Sequence, residues 1–532
     1  MLSGYHKVTE SKTNTFIMKK YLFILTFLFS SYLFAQTPHF VWVKELPFMV
    51  DCQVLDHVGN IYLAGDFSDT IPLDTNILIA ENGTDMIIAK YDSTGNLLWY
   101  DQICDAEYMY VADLSIDSHN RLLFSGMFTS YAINGGDTLW GTYMRHNMLL
   151  IKFEVDGRRA WMKCPGYHPY TCTHLYHSVM DKNDEILLYG NTNYFTGPEH
   201  YIIIDGLEYQ LDDGRFWMKL DTAGNFLWLT TAPIDVDEFY YYNNNYYVDQ
   251  GDTLSKYDLS FDLITKKIIS AGPAHTETEY VNRSIAIDNE KNMYYLGVIN
   301  DSIEFLGQTF YDDDYGEVVL LCLDSNWSEN WIYHLPNTFQ SWPVDMALHN
   351  DLIVFTMLFR DTVFINNDTV VSTNFKKNDM IVFVDLDGNY VYHETIYCNR
   401  DLSDMGVMMN DAVYFAGMAR DSVNLSNFHL NPPGFYETYY LAKMEFDNFY
   451  VPTNSTNVLG YPNPFNDVVY FNNTINTNNA ILDIYRTNGL HIEHYEFQGA
   501  VNSVNLGYLP QGMYIFRLKT DSGIHSAIMM KQ

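Results

Sequence analysis

Five side chains that could bind a metal ion or form a disulfide fall within fourteen residues. They are Cys164, His168, Cys172, His174 and His177. Thiolate sulfur and imidazole nitrogen are ligands that zinc prefers in proteins. The spacing matches no established zinc motif, however, and a Cys164–Cys172 disulfide would close the same loop in an oxidising compartment. The sequence leaves a disulfide, free thiols and zinc open, and it favours the first two, so no metal or cofactor is assigned.

A second candidate is an aromatic segment, in which Phe239 to Tyr242 and Tyr246 to Tyr247 flank three asparagines. Exposed aromatic rings could stack on sugars. The alternative is a hairpin whose tyrosines pack inside the fold, because alternate strand residues must be buried. The second interpretation is the better supported of the two.

No motif in the chain identifies an enzyme. There is no Gly-rich phosphate loop after a strand, no Gly-x-Ser-x-Gly and no His-Glu-x-x-His. No catalytic residue is therefore predicted. Catalytic side chains gathered from distant segments would leave no such motif, so an enzyme remains the alternative to a binding protein.

The composition limits the classes of partner. Asp and Glu outnumber Lys and Arg by 66 to 30, and the net charge of −36 is spread along all 532 residues. Such a surface repels phosphate backbones, which makes nucleic acid an unsuitable partner. Six cysteines are too few for a disulfide-built fold. An aromatic fraction of 16%, led by 43 Tyr, favours strands.

The candidate residues lie within a repeat. Residues 88–99 contain a lysine, an Asp-x-x-Gly-Asn turn and then a tryptophan, and the distance from lysine to tryptophan recurs as nine residues. The equivalents of Lys90 are Lys152, Lys219, Lys256, Cys322, Val384 and Lys443. A second Asp-x-x-Gly-Asn phrase, first seen at residues 56–60, precedes most copies. We expect Lys90, Lys152, Lys219 and Lys443 to pair with neighbouring carboxylates at blade surfaces, which is a weak structural role.

These repeats predict an all-β propeller. Each copy contains two hairpins, and the copies average about 59 residues, slightly longer than the roughly 40 to 50 typical of propeller repeats. Residues 40–44 form a Trp-containing strand without a preceding partner, so we expect them to complete the last blade and close the ring. Seven blades are favoured, although the short fourth copy, with Thr265 in place of tryptophan, also allows six.

The N-terminus resembles a secretory signal peptide. Lys19 and Lys20 precede an apolar run that ends at Ala35, so cleavage is predicted between Ala35 and Gln36. Met18 is the expected start of translation, because residues 1–17 do not fit the pattern. No other run is long enough to span a membrane, so the mature protein is expected to have no transmembrane segment.

The repeat ends near Pro452, and a polar linker leads into a small β-sandwich over residues 453–532. Residues 461–465 read Tyr-Pro-Asn-Pro-Phe, and residues 509–514 read Leu-Pro-Gln-Gly-Met-Tyr. This order resembles the type A sorting domain of the type IX secretion system of Bacteroidota. The resemblance implies sorting residues Tyr461, Pro462, Asn463, Pro464, Phe465, Gly489, Gly512, Tyr514 and Lys531.

The predicted organisation is a signal segment over residues 1–35, a propeller over residues 36–452 and a sorting domain over residues 453–532. The resemblance implies transport by the type IX machinery to the cell surface or beyond, with release and attachment to lipopolysaccharide both open. The predicted function is a non-catalytic binding or adhesion protein for glycan or a surface protein. The alternative is an extracellular hydrolase or lyase that acts in the propeller funnel.

Overall fold

The computed structural model describes residues 38–531 with gaps, the longest at 270–283, 399–405, 446–459 and 472–478. This part of the chain contains strands and no helix, and hence no helix able to cross a membrane. The signal segment and most of the linker lie outside it. Residues Phe40–Glu445 form one compact unit, and the C-terminal strands belong to a second.

Seven four-stranded antiparallel units follow one another along the first compact unit, and we number them blades 1 to 7. The first strand, β1 (His39–Leu46), belongs to blade 7. Blade 1 comprises β2 (Cys52–Leu55), β3 (Ile61–Leu73), β4 (Asn76–Tyr91) and β5 (Leu97–Asp105). Blade 2 comprises β6 (Met109–Ile116), β7 (Leu122–Thr129), β10 (His146–Phe153) and β11 (Arg159–Lys163). Blade 3 comprises β12 (Cys172–Met180), β13 (Ile186–Asn193), β16 (Arg215–Leu220) and β17 (Phe226–Thr231).

The remaining blades repeat the same order. Blade 4 comprises β18 (Glu238–Tyr242), β19 (Asn245–Asp249), β20 (Thr253–Tyr257) and β21 (Leu263–Ile268). Blade 5 comprises β22 (Ser284–Ile287), β23 (Met293–Ile299), β26 (Glu317–Leu323) and β27 (Glu329–Leu335). Blade 6 comprises β28 (Gln340–His349), β29 (Leu352–Arg360), β32 (Asn378–Asp385) and β33 (Tyr390–Cys398). Blade 7 comprises β34 (Gly406–Met409), β35 (Val413–Arg420), β38 (Glu437–Glu445) and β1.

The ring closes as predicted. The first strands of successive blades contact one another in the cyclic order β2, β6, β12, β18, β22, β28, β34 and back to β2. Strand β1 lies beside β38 and forms the outer strand of blade 7. The fourth copy, the weakest in the sequence, forms a complete blade, so the propeller has seven blades.

Between their second and third strands, five blades carry an extra hairpin. These hairpins are β8 (Tyr131–Asn134) with β9 (Asp137–Trp140), β14 (His200–Ile204) with β15 (Leu207–Leu211), β24 (Ser302–Phe305) with β25 (Gln308–Tyr311), β30 (Thr362–Ile365) with β31 (Asp368–Val371), and β36 (Val423–Leu425) with β37 (Phe428–Leu430). Two of them reach the outer edge of the preceding blade, where β8 pairs with β5 and β36 pairs with β33. The hairpins account for repeats longer than the usual propeller length.

The hydrophobic core lies between neighbouring blades. One cluster joins Ile61 and Leu63 of blade 1 to Tyr414 and Leu441 of blade 7, and others fill the spaces between the next pairs of blades. Because both faces of a middle strand are covered, every residue of β32 is buried. This explains why the middle strands read as continuous apolar runs.

The lysine-to-tryptophan spacing follows from strand register and from packing between blades. Lys90 lies opposite Trp99 in the sheet. Trp99 covers Gly157 of blade 2, where a Cβ would come within 2.7 Å of the indole, and its Nε1 donates to the Val155 carbonyl at 3.2 Å. The same contact joins Trp42 to Gly95, Trp161 to Gly224 and Trp331 to Gly388.

In blade 6 the residue equivalent to Lys90 is Phe383, so the assignment of Val384 to this position was wrong by one residue. Phe383, rather than Val384, lies opposite Tyr392, so this blade keeps the nine-residue spacing. In blade 4 the turn glycine is replaced by Phe261, which adopts φ 64° and lies 6.1 Å from the Trp228 ring. A side-chain ring here takes the place of backbone under the tryptophan.

The C-terminal unit is a sandwich of two antiparallel sheets. One sheet contains β39 (Gly460–Tyr461), β40 (Val468–Phe471) and β43 (Ser503–Asn505), and the other contains β42 (His491–Gln498), β41 (Asn479–Arg486), β44 (Gly512–Thr520) and β45 (Gly523–Lys531). Val469 from the first sheet and Leu482 and Phe516 from the second share one buried cluster. The predicted propeller followed by a β-sandwich is confirmed.

Candidate functional site

The two edges of the propeller differ in chemistry. Because strands alternate in direction, the turns after the first and third strands of every blade lie at one edge, which we call the repeat edge. The connections between second and third strands, and those between blades, lie at the other, which we call the variable edge. A ligand-specific site is expected where the sequence departs from the repeat.

The repeat edge is held by buried ion pairs. Lys90, Lys152 and Lys219 lie 3.2, 2.9 and 2.5 Å from the carboxylates of Asp56, Asp117 and Asp181, respectively. All six side chains are at most 4% exposed. The expectation that these lysines pair with carboxylates is confirmed, but the expectation that they do so at the surface was wrong.

Each aspartate also shapes its own turn. The Asp181 carboxylate accepts the backbone N–H groups of Asn183 and Glu185, which fixes the Asp-x-x-Gly-type turn. Burial alone would raise the pKa of Asp117, but hydrogen bonds from Lys152 and from backbone N–H groups hold that pKa below its usual value. This edge is therefore a structural feature of the repeat.

At the variable edge, aromatic and histidine side chains gather between blades 2 and 3. We define the blade 2–3 rim as Tyr110, Tyr143, His146, His168, Tyr170, Cys172, His174 and Tyr176. Three strands supply five of the eight residues: β6 contributes Tyr110, β10 begins at His146, and β12 carries Cys172, His174 and Tyr176. Strands β10 and β12 pack against each other across the two blades.

The rings of the rim form a continuous row. His146 lies 5.3 Å from Tyr110 and 4.9 Å from His174, measured between ring centroids, and His174 lies 6.0 Å from Tyr176. These spacings fall within the range of favourable contacts between aromatic rings. The row continues inward through Tyr189, which is 2% exposed.

Hydrogen bonds fix the two loops that frame the row. Asn147 accepts the backbone N–H of Thr142 at 2.8 Å and donates to the Arg145 carbonyl at 2.7 Å. The Thr142 hydroxyl donates to the carbonyl of His168 at 3.2 Å, which joins the loop before β10 to the loop before β12. These hydrogen bonds fix the two framing loops relative to each other.

The framing loops expose large aromatic side chains. Tyr143 is 74% exposed and Tyr170 is 73% exposed, whereas His168, two residues before Tyr170, is 1% exposed. Trp140, at the end of β9, is 74% exposed. Flat apolar faces beside the half-buried imidazoles of His146 and His174 form a surface that can stack on a ligand and also offer it hydrogen bonds.

The histidines of the rim are neutral near pH 7. Burial, with a smaller contribution from His146, lowers the pKa of His174 to about 4. Burial also lowers the pKa of His146 and, together with His200, that of His168. These three side chains therefore offer no positive charge that would attract an anionic ligand.

Of the alternatives that the sequence left open for Cys164 and Cys172, the structure has both residues as free thiols. Cys164 directs its sulfur to the Gly166 carbonyl at 3.4 Å, whereas the Cys172 sulfur accepts the backbone N–H of His146 at 3.5 Å. The two thiols have different partners because Cys172 lies in β12 and faces blade 2. The structure groups Cys172 with His174, as the sequence suggested, and adds His146, which the sequence analysis missed.

The tyrosine-rich segment of blade 4 mostly packs inside the fold. Phe239, Tyr246 and Tyr247 are at most 6% exposed, and Tyr240 is 37% exposed. The packing interpretation is correct for Phe239, Tyr246 and Tyr247.

Two aspartates line the inner ring of first strands. Asp113 of β6 accepts the backbone N–H of Ser178, and Asp345 of β28 accepts that of Val407, in each case from the next blade. Burial raises the pKa of Asp113 to about 7 and that of Asp345 to about 6. Each follows a β-bulge, which turns the side chain toward the neighbouring blade. Both are carboxylates with raised pKa values on the first strands of their blades.

The C-terminal unit is similar to a known protein family. Residues 460–531 match the family model described as the secretion system C-terminal sorting domain. The match supports a type IX sorting domain, which implies interaction with that secretion machinery and a cell-surface or secreted destination. No curated protein matches the chain.

Of the implied sorting residues, Tyr461, Gly512, Tyr514 and Lys531 lie in described strands. Tyr514 is 3% exposed and donates to the Pro510 carbonyl at 2.7 Å. The Lys531 ammonium donates to the Asn466 carbonyl and lies 3.7 Å from the Asp467 carboxylate. Pro462, Asn463, Pro464, Phe465 and Gly489 lie outside the described residues, as do Ala35 and Gln36.

Several solved structures are similar to the chain at low identity. They include the Pan2 WD40 domain from Neurospora crassa (9% identity, 77% of this chain and 96% of that chain, TM-score 0.38), a luciferin-regenerating enzyme (10%, 76% and 95%, 0.33) and the polysaccharide lyase Uly1 (9%, 75% and 78%, 0.30). The strand order of the seven blades defines the propeller fold.

Proposed function

We propose that this chain is an exported, non-catalytic binding protein whose propeller captures a neutral glycan at the blade 2–3 rim. The sorting domain supplies the destination. The observation that carries the proposal is the row of rings from Tyr110 to Tyr176, flanked by the exposed faces of Tyr143 and Tyr170. Sugar rings present C–H faces that pack on aromatic rings, and their hydroxyls pair with nearby polar groups.

The charge of the chain favours a neutral glycan. A net charge of −36 repels polyanions at long range. The buried His168 and the half-buried His146 and His174 are neutral, because desolvation lowers their pKa values. A surface protein that presents an exposed apolar or basic patch is the other partner to which these features are suited.

The export route is part of the same proposal. A signal peptide cleaved between Ala35 and Gln36, with translation starting at Met18, would deliver the chain to the periplasm of a member of the Bacteroidota. The type IX machinery would then carry it across the outer membrane. Mass spectrometry of the secreted chain tests the cleavage site, and a mature N-terminus other than Gln36 would contradict it.

The test of binding is a glycan array and polysaccharide pull-down with the full chain. We expect the double variant Tyr143→Ala/Tyr170→Ala to lose at least about tenfold in affinity, since base–aromatic stacking, a comparable contact, contributes roughly 1–3 kcal/mol per ring. The matched control is Tyr311→Ala, which removes a 68% exposed tyrosine from the blade 5 hairpin. Equal binding by the double variant and the wild type would contradict the proposal.

The second candidate function is a hydrolase or lyase in the funnel. It is favoured by Asp113 and Asp345, whose pKa values near neutrality suit acid–base catalysis. Each already accepts a backbone N–H from the next blade, which favours a structural role. Product analysis of bound polysaccharide separates the two functions: cleavage that is lost in Asp113→Asn would establish the enzyme, and an unaltered ligand would support binding.

A further inference from the structure

At the blade 2–3 rim, three metal-ligating side chains converge. One nitrogen of His146, one nitrogen of His174 and the sulfur of Cys172 all lie within 4.8 Å of one another. In a tetrahedral zinc site, with bonds of about 2.0–2.3 Å, neighbouring ligand atoms are roughly 3.3–3.6 Å apart. Small side-chain rotations would close that difference.

The fold explains why these three side chains meet. Cys172 and His174 are two positions apart on β12, so they lie on the same side of the strand. That side faces blade 2, where His146 opens β10. The backbone N–H of His146 donates to the Cys172 sulfur at 3.5 Å, which orients the sulfur as hydrogen bonds to ligands do in metal sites.

A second, independent observation points to a ligand. The Nδ1 atom of His146 is buried and has no hydrogen-bond partner among the described residues. A buried polar atom left without a partner costs free energy comparable to a lost hydrogen bond. A metal ion bound through Nδ1 of His146 would supply that partner.

We propose that His146, Cys172 and His174 bind a zinc-class divalent metal ion that joins blade 2 to blade 3. One thiolate and two imidazoles match the ligand preference of zinc, and three protein ligands leave a fourth position for water or for an atom of a ligand. The proposal goes beyond glycan capture, because stacking on the exposed tyrosines needs no metal.

The described part of the chain contains a second group of potential metal ligands, but its carboxylates already have cationic partners. Asp117, His119 and Asp184 also lie within reach of one ion. Lys152 and Arg121, however, already form ion pairs with Asp117 at 2.9 and 2.7 Å. The positive charge that a metal would bring is thus present there as side chains.

The first test is a zinc titration of the full chain against a chelating dye, with bound zinc counted by elemental mass spectrometry. We expect one tightly bound ion per chain, and at least about a 100-fold loss of affinity in Cys172→Ser and His174→Asn, since losing even an outer-shell partner costs 10–100-fold. The controls are His57→Asn, which removes an exposed histidine at the repeat edge, and Cys104→Ser. Unchanged zinc affinity in both site variants would overturn the proposal.

The second test uses the wild-type chain, so it does not depend on a variant folding. Alkylation of each thiol is followed by peptide mass spectrometry with and without zinc. We expect zinc to slow the alkylation of Cys172 by at least about tenfold while leaving Cys104 unchanged as an internal control. Equal alkylation of Cys172 in both conditions would overturn the proposal.

Discussion

Replacing Lys219 by methionine should destabilise the propeller more than the same change at Lys152. Lys219 and Asp181 are 2% and 1% exposed, and their charged atoms are 2.5 Å apart. Removing the lysine leaves the Asp181 carboxylate with two backbone N–H groups and the Tyr246 hydroxyl as its donors. Breaking a buried ion pair costs about 3–5 kcal/mol, so we expect a loss of that size.

Lys152→Met provides the matched comparison. Its partner, Asp117, keeps a second cation, because the Arg121 Nε donates to the same carboxylate at 2.7 Å. We therefore expect a loss of about 1–3 kcal/mol, the cost of an imperfectly compensated buried group. Blade 5 has a natural version of this change, since Cys322 replaces the lysine and Asp288 instead accepts the Tyr294 hydroxyl at 2.9 Å.

The assay is urea unfolding followed by tryptophan fluorescence. All nine tryptophans lie between residues 42 and 342, so the signal reports the propeller and not the sorting domain. The double variant Asp181→Asn/Lys219→Met, which removes both charges, should recover most of the loss. A loss for Lys219→Met no greater than that for Lys152→Met would refute the reasoning.

Three further predictions follow from single contacts. Gly157→Ala should lower the free energy of unfolding in urea by at least about 2 kcal/mol, because φ is +85° and the Cβ would meet Trp99. Gly206→Ala, with φ +80° and no atom within 4 Å of the added Cβ, should cost only the backbone strain of about 1–2 kcal/mol. Equal losses in the two variants would show that the contact with Trp99 does not contribute. The pKa of Asp113 in the folded state is raised to about 7, so between about pH 4 and pH 7 the native state retains a proton that the unfolded state releases. The free energy of unfolding of the wild type should therefore fall, relative to that of Asp113→Asn, as the pH rises through this range. Parallel pH profiles of the two proteins would contradict this. Deleting residues 460–531 should leave the chain in the periplasm by cell fractionation, and secretion of the truncated chain would show that another segment directs sorting.

The repeat made most of the fold predictable. A lysine, a turn and a tryptophan at constant spacing defined the hairpins, and the unpartnered Trp42 strand indicated ring closure. The burial of the lysines was missed, although Lys152 lies between Ile151 and Phe153 in an apolar strand, which is a signal for a buried charge. The extra hairpins obscured the period because they vary in length from blade to blade.

The site could be predicted only in part. Cys172 and His174 meet because they share one side of β12, which a strand assignment allows. His146 is 26 residues before Cys172, and only the packing of blade 2 on blade 3 brings it there. His177, close to both in sequence, lies further along β12 opposite Tyr189 and does not join His146, Cys172 and His174. Proximity along the chain was therefore a poor guide to proximity in space.

The most direct test of ligand capture at the rim is hydrogen exchange of the full chain with and without the glycan it binds best on the array. The account predicts slower exchange of backbone amides in residues 141–146 and 167–176, with the repeat-edge turns unchanged. Protection centred on the inner strands around Asp113 and Asp345, or on the turns of the repeat edge, would contradict it.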